Sequence, residues 1–388
     1  MRYLFLIYLM VWFSLTPGSS WSEEAALPIL HMQPGLLPLD SDQLATLPQT
    51  EKASHYRVFT AIENEAQYNH GAVLFHFNGQ LFCQWQTSRR DEDGPDTHVL
   101  YSVSDDGRQW QPPRTLAAIR DDAIVTSGGW WSDGTQLVAF VNVWPKQLSP
   151  KAGHTEYALS RDGLNWSSFK PVLDATGKPL RGIIEQDLKA LSSGRILTTF
   201  HRQPGLIATP YYTDDPLAIS GWTAGKFSNL PHKGSISREL EPSWYQKPGG
   251  EIVMTFRDQA GSFKILAAES KDEGASWTSA QLTNVPDSRA KQSAGNLPDG
   301  SAFIVNNPTG NKTRLPLVIL LSRNGEEFDQ AMVLRGQDQL PTMRFAGKYK
   351  RVGYSYPKSY VWNNALWVSY AVNKEDIAVT RLALEAAP

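Results

Sequence analysis

Cysteine is nearly missing from this sequence: Cys83 is the only one among 388 residues, so no disulfide can form within the chain. One thiol and eight scattered histidines offer no pair at the spacing of a zinc site, and no metal is expected. Charge of one sign is lacking as well. The 37 basic and 39 acidic residues leave a formal charge of −2, too little to draw in nucleic acid or an anionic membrane, so any anionic ligand must be recognised by a local cluster. Phosphate-cradling glycine loops and nucleic-acid motifs are absent, and no cofactor is expected. The acidic run 91–96 lacks the spacing of a calcium-binding EF-hand loop and reads as a solvated turn. Long apolar runs are also scarce. The most pronounced, residues 3–15, falls short of the roughly 20 residues that span a bilayer. With Arg2 before it and Gly18, Ser19, Ser20 and Ser22 after it, this run has the form of a signal peptide over residues 1–22. The expectation is a secreted or periplasmic protein, monomeric and not inserted in a membrane once the signal is removed. Cys83 lies in the apolar run 81–85 and is expected to be a buried hydrophobe.

What the chain does have is aromatic surface and repetition. Thirteen tryptophans and an aromatic share of 11% accompany 41% hydrophobic residues, enough for a sizeable core. Ser104-Asp105-Asp106-Gly107-Arg108-Gln109-Trp110 is repeated as Ser160-Arg161-Asp162-Gly163-Leu164-Asn165-Trp166. A third copy, Ser270-Lys271-Asp272-Glu273-Gly274-Ala275-Ser276-Trp277, carries one extra residue. Weaker copies begin at Thr213, with its tryptophan delayed to Trp222, and at Ser322, ending in Phe328. The starts at 104, 160, 213, 270 and 322 are spaced by 56, 53, 57 and 52 residues, and a further 52 leads to 374, within Asn373-Lys374-Glu375-Asp376, where an altered sixth copy is expected. In each copy the Asp or Asn accepts bonds from nearby N–H groups, the glycine takes positive φ and the ring buries.

Strand-like runs precede these turns, at 73–77, 81–85 and 98–103, then 136–143 and 155–159, then 251–256 and 263–268, then 302–305 and 317–321. Three or four strands per period of about 50 residues fit the blades of an all-β propeller. No convincing amphipathic helices lie between them, which argues against a TIM barrel or a doubly wound sheet. The count is six blades from the repeats, or seven if residues 25–63 help build another. Residues 23–63 are expected to pack on or close the propeller, and 64–388 to form the catalytic domain.

These repeats resemble the Asp boxes of sialidases and other BNR-repeat propellers over roughly residues 65–382. In such proteins the boxes are structural, so they speak to fold. Other segments resemble a sialidase site: Glu239-Leu240-Glu241-Pro242, Arg257, Arg314 and Tyr354 stand where the family has its Glu, two of three carboxylate-binding arginines and its Tyr nucleophile. The family's first-blade Arg-Ile-Pro segment is replaced by Tyr68-Asn69-His70-Gly71-Ala72. That segment, with Arg89-Arg90-Asp91 and Tyr211-Tyr212-Thr213, is more similar to exported propellers that act on uronic-acid glycans. These are the ulvan lyases and the family cleaving α-L-rhamnosyl-1,4-glucuronate, described as a rhamnohydrolase or a lyase. Pro286-Asp287-Ser288, Gly295-Asn296-Leu297-Pro298 and Tyr356-Pro357 extend the likeness. The resemblance implies that an early histidine, here His70, is the key acid/base.

On this reading His70 and Tyr354 are the catalytic candidates. Asn69, Arg89, Arg90, His98, Arg202, Tyr211, Glu241, Arg257 and Arg314 are candidate ligands for an acidic oligosaccharide or polysaccharide, with His201 as a further helper. A neutral histidine suits proton abstraction at a uronate, and guanidinium forks suit its carboxylate. Elimination and hydrolysis both remain open. So do an exo-α-sialidase and a non-catalytic glycan-binding propeller, because a histidine before a strand or an arginine between blades often serves structure alone.

Overall fold

The computed structural model describes residues 28–147 and 152–384, and the expected signal peptide, residues 1–22, lies outside them. Among the described residues no helix is long and apolar enough to cross a membrane. The described residues form six antiparallel sheets, each a blade of four or five strands, and one short parallel pair outside the blades. In the first blade Tyr68–Phe77, Gln80–Ser88, His98–Ser104 and Arg114–Ala117 follow one another outward from the axis. The inner strands of the next five are Ala123–Ser132, Gly182–Ile184, Glu239–Gln246, Ser293–Asn296 and Tyr354–Trp362.

The blades sandwich one another, so their middle strands are apolar on both faces and do not alternate. Leu137–Pro145 is buried over all but its last residue. Between the first two blades Phe82 and Tyr101 pack with Val125, Trp130 and Val141, and comparable clusters fill the other seams. Cys83 is buried within one of them, where burial raises its thiol pKa far above the ordinary value, as suits an inert core residue.

The ring is closed by both ends of the chain. Ala53–Phe59 pairs antiparallel with Asp376–Ala383 and supplies the outermost strand of the sixth blade. Among the described residues there are therefore six blades and no seventh, because the early strand completes the last blade. Farther upstream, His31–Met32 pairs with Glu327–Phe328, and Leu30 and Leu44 join the core beneath the fourth and fifth blades.

Each Asp box sits after a third strand. In the first, Ser104 Oγ accepts from Gly107 N at 2.8 Å and Asp106 Oδ1 accepts from Arg108 N and Gln109 N at 2.8 and 2.9 Å. Ser160 and Asp162 repeat these bonds, as do Ser322 and Asn324. The box glycines also touch the preceding blade. A Cβ on Gly163 would lie 2.4 Å from the Phe82 ring, and one on Gly107 2.4 Å from Trp367. Both have positive φ, so glycine is required there twice over. The expected sixth box at 373–376 is not one. Those residues join the second and third strands of the sixth blade, which places them at the opposite edge of the ring, where Lys374 faces the axis.

That opposite edge is irregular by construction. Four inner strands lose register with their neighbours there: at His70/Val73, Ser127/Gly129, Leu240/Ser243 and Ser355/Lys358. Glu241 and Tyr356 sit within two of these bulges at φ +52° and +58°, a conformation unusual for non-glycine residues and a common device for re-aiming a side chain.

Candidate active site

The bulges turn Glu241 and Tyr356 toward each other. The Tyr356 hydroxyl donates to Glu241 Oε1, and Arg257 Nη1 reaches both Glu241 Oε2 at 2.8 Å and the Tyr356 oxygen at 3.2 Å. Arg314 donates to Ser355 Oγ at 2.9 Å and holds its guanidinium 5.1 Å from the Tyr356 ring centre, with Lys291 and Lys374 at 5.4 and 5.9 Å. The His70 ring lies 4.2 Å from that of Tyr356. His70 and the Arg257/Arg314 pair therefore share one cleft.

A cavity of about 190 Å³ opens over this group, lined by His70, Glu92, Asp93, Glu185, His201, Glu241, Lys291 and Tyr356 among others. Its floor is Gln186, whose Nε2 donates to the carbonyls of Gly71 and Ser127 at 3.0 and 2.9 Å and whose Oε1 accepts from Lys291 at 3.0 Å. Glu185 is clamped between Lys291 at 2.8 Å and His201 at 3.1 Å. Beside the cavity a basic recess of about 160 Å³ is lined by Arg257, Ser288, Arg289, Lys312, Arg314 and Arg351, with no acidic side chain.

Electrostatics assign protonation states. His70 is 2% exposed and neither ring nitrogen has a partner. Burial, then Lys374, Arg314 and Lys291, hold its pKa well below 6.5, so it is neutral near pH 7. Burial and the facing Glu241 raise the Tyr356 pKa, keeping the phenol protonated at rest. Burial pushes Glu241 upward, but Arg257 and Lys291 outweigh it and the carboxylate stays ionised, ready to accept the phenol's proton. Lys374, ion-paired with Glu92, is lowered to about 8 by burial.

The sequence candidates divide sharply. His70, Glu241, Arg257 and Arg314 converge, together with His201, which accepts from Glu241 N at 3.4 Å. The central tyrosine is Tyr356, not Tyr354. Tyr354 is fully buried, donates to Gly336 O at 3.1 Å, and packs against Tyr370 and Arg335. Asn69 is committed to structure, donating to Ala66 O and Glu375 O and accepting from Trp85 Nε1. Tyr211 lies in the third-blade core against Phe200. Arg89, Arg90 and Arg202 are exposed, and His98 Nδ1 bonds Asp96 O; none of these four lines the cavity. Sequence reasoning missed Lys291, Glu185 and Gln186. It also passed over a signal that was present: Glu241-Pro242 and Tyr356-Pro357 both place proline, which has no N–H for a ladder, directly after the functional residue and inside the bulge.

The profile of the BNR repeat-like domain family matches residues 79–368. No curated protein matches significantly. Among solved structures, a sialidase superposes with TM-score 0.61 at 21% identity, covering 91% of this chain but 35% of its own, so this chain spans about a third of that protein. A Hadza microbial sialidase gives TM-score 0.67 at 14% identity over 85% of this chain and 68% of its own. A protein of unknown function from Dyadobacter fermentans gives 0.65 at 16% identity over 87% and 100%. At these identities the superpositions report the shared propeller fold. The recurring boxes, the six closed blades and the match over most of the sequence agree that the chain belongs to the BNR repeat-like domain family.

Proposed function

We propose that the protein is a carbohydrate-active enzyme that cleaves a glycosidic bond at a carboxylate-bearing sugar, with Tyr356 as the reacting hydroxyl. The observation that carries this reading is the Tyr356 oxygen held at once by Glu241 and Arg257, at the edge of a basic recess. The recess suits a sugar carboxylate, which Arg257 and Arg314 would grip through charge-assisted bonds. A uronic acid is favoured over a sialic acid because neutral His70 stands where sialidases have an arginine, and α-L-rhamnosyl-1,4-glucuronate is the linkage we assign.

Four carboxylates, Glu92, Asp93, Glu185 and Glu241, line the one cavity, an arrangement that favours hydrolysis. In that route Tyr356 Oη bonds the anomeric carbon while its proton passes to Glu241. The departing oxygen takes a proton from Asp93, which acts as the acid in this step. Water then displaces the tyrosine, giving its proton to the same carboxylate, and Glu241 returns the phenolic proton. A second reading is favoured by the two unpartnered nitrogens of His70. As a neutral base, His70 would remove the proton at C5 of a uronate while the recess neutralises the carboxylate, with Tyr356 protonating the leaving oxygen.

Incubation with a rhamnosyl-glucuronate oligosaccharide tests both. Rhamnose release without near-ultraviolet absorbance is the expected result. New absorbance would mean elimination, since only that route leaves a conjugated double bond. Turnover of a sialoside with none of the uronate would overturn the substrate assignment.

A further inference from the structure

A second cavity lies near the axis. Below the Gln186 floor, on the side of the Asp boxes, a cavity of about 370 Å³ is lined by Phe75, Trp131, Lys189, Lys358 and Tyr360 together with Asp187. This lies within the roughly 300–1,000 Å³ typical of small-molecule sites. Phe75 is the hub of its aromatic wall, with ring centres 5.3 Å from Tyr360 and 6.4 Å from Trp131, all three half-buried. Trp131 is fixed in place by a 2.8 Å bond from Nε1 to Pro216 O, so its ring presents a set orientation.

The polar side of the cavity is unbalanced. Lys358 is 2% exposed and its Nζ has no hydrogen-bond partner. Its nearest counter-charge, Asp187 Oδ1, is 3.7 Å away. Asp187 is already engaged by Lys189 Nζ at 3.0 Å and by Ser243 Oγ at 2.5 Å. Burial lowers the Lys358 pKa to about 8, which still leaves it mostly charged at pH 7. Ser359 Oγ, on the same wall, is also unpartnered. Lys189 Nζ spends its donors on Asp187, Trp244 O and Ala294 O, so Lys358 is the ammonium left to want an oxygen-rich, anionic guest, while the aromatic wall wants the C–H face of a flat ring.

We propose that this lower cavity is a second, non-catalytic binding site for an acidic pyranose, its ring against Phe75, Trp131 and Tyr360 and its carboxylate on Lys358. The site rests on the carbohydrate reading above only for the class of its ligand. It would let the enzyme hold a polysaccharide by the face opposite the one that cuts it.

The probe is D-glucuronate, followed by calorimetric titration of the Arg257→Ala protein, in which the upper recess is disabled, with glucose as control. Saturable binding of glucuronate is expected, weakened about tenfold or more by Tyr360→Ala or by Lys358→Met. Turnover of a short substrate by Tyr360→Ala with Arg257 intact should match that of the parent. Thermal melting checks that each variant folds, and if Lys358→Met does not, Tyr360→Ala decides alone. Absence of glucuronate binding to Arg257→Ala, or binding that Tyr360→Ala leaves unchanged, overturns the proposal. Binding here in a protein that turns over no glycan would instead sink the catalytic reading and leave this site standing.

Discussion

The Tyr356 hydroxyl donates to the Glu241 carboxylate across the propeller axis, joining the inner strands of the sixth and fourth blades. The two residues are 115 positions apart in the chain, and each owes its direction to a bulge.

Replacing Tyr356 with Phe removes the oxygen that both proposed routes use, and turnover should fall by about 10² or more, with the fold intact. Tyr354→Phe should do the reverse. It loses the hydroxyl's buried interactions with Gly336 O and Arg335, away from the cleft, so kcat should hold while stability drops by about 1 kcal/mol or more. Steady-state kinetics and urea unfolding of the two variants distinguish them. Equal losses of turnover would refute the placement of Tyr356 at the centre.

Because His70 is kept neutral by burial and three cations, the pH profile of kcat/KM should show no acid limb near 6.5 arising from this residue. NMR titration of the His70 ring should show it uncharged through that range. In Lys374→Met, which removes the largest of the charge contributions, the ring should begin to protonate at a higher pH. A wild-type His70 that titrates at 6.5 contradicts the assignment.

Asp287 is buried beside Arg257, and burial raises its pKa from 3.8 to about 6. Between those values the folded protein keeps a proton that the unfolded chain has lost, so the stabilisation present below pH 4 disappears as pH rises through 6. Two units correspond to about 3 kcal/mol. Asp287→Asn should flatten this descent, and denaturant melts of both proteins from pH 4 to 7 measure the difference. Parallel stability curves would count against it.

Gly163→Ala sets a methyl group against the Phe82 ring at a positive-φ position. It should cost about 2 kcal/mol or more and lower the melting temperature. The box lies at the edge of the ring opposite the cavity, so the specific activity of the protein that remains folded should not change.

The fold was legible because the box repeats itself: turn chemistry is local, and five similar turns at a steady period leave little choice of architecture. Asn373-Lys374-Glu375-Asp376 misled for the same reason, since period alone does not reveal which edge of the blade a turn occupies. The site was half legible. His70, Glu241, Arg257 and Arg314 do come together in one cleft, whereas Tyr354 lies outside it and Tyr356 inside, a difference hidden in the sequence because on a regular strand both would face the same way. The bulge between Ser355 and Lys358 breaks that rule. Lys291 and Gln186 carry no motif and acquire meaning only where separate blades meet at the axis.

The strand that completes the sixth blade, Ala53–Phe59, lies far upstream of Tyr356 and Lys374, yet it pairs with Asp376–Ala383 just beyond them. The cleft therefore depends on strands far apart in the sequence meeting in one sheet, and prising Ala53–Phe59 loose would unsettle the blade that carries Tyr356. The seam that shuts the ring is thus also the one that holds the cleft in shape.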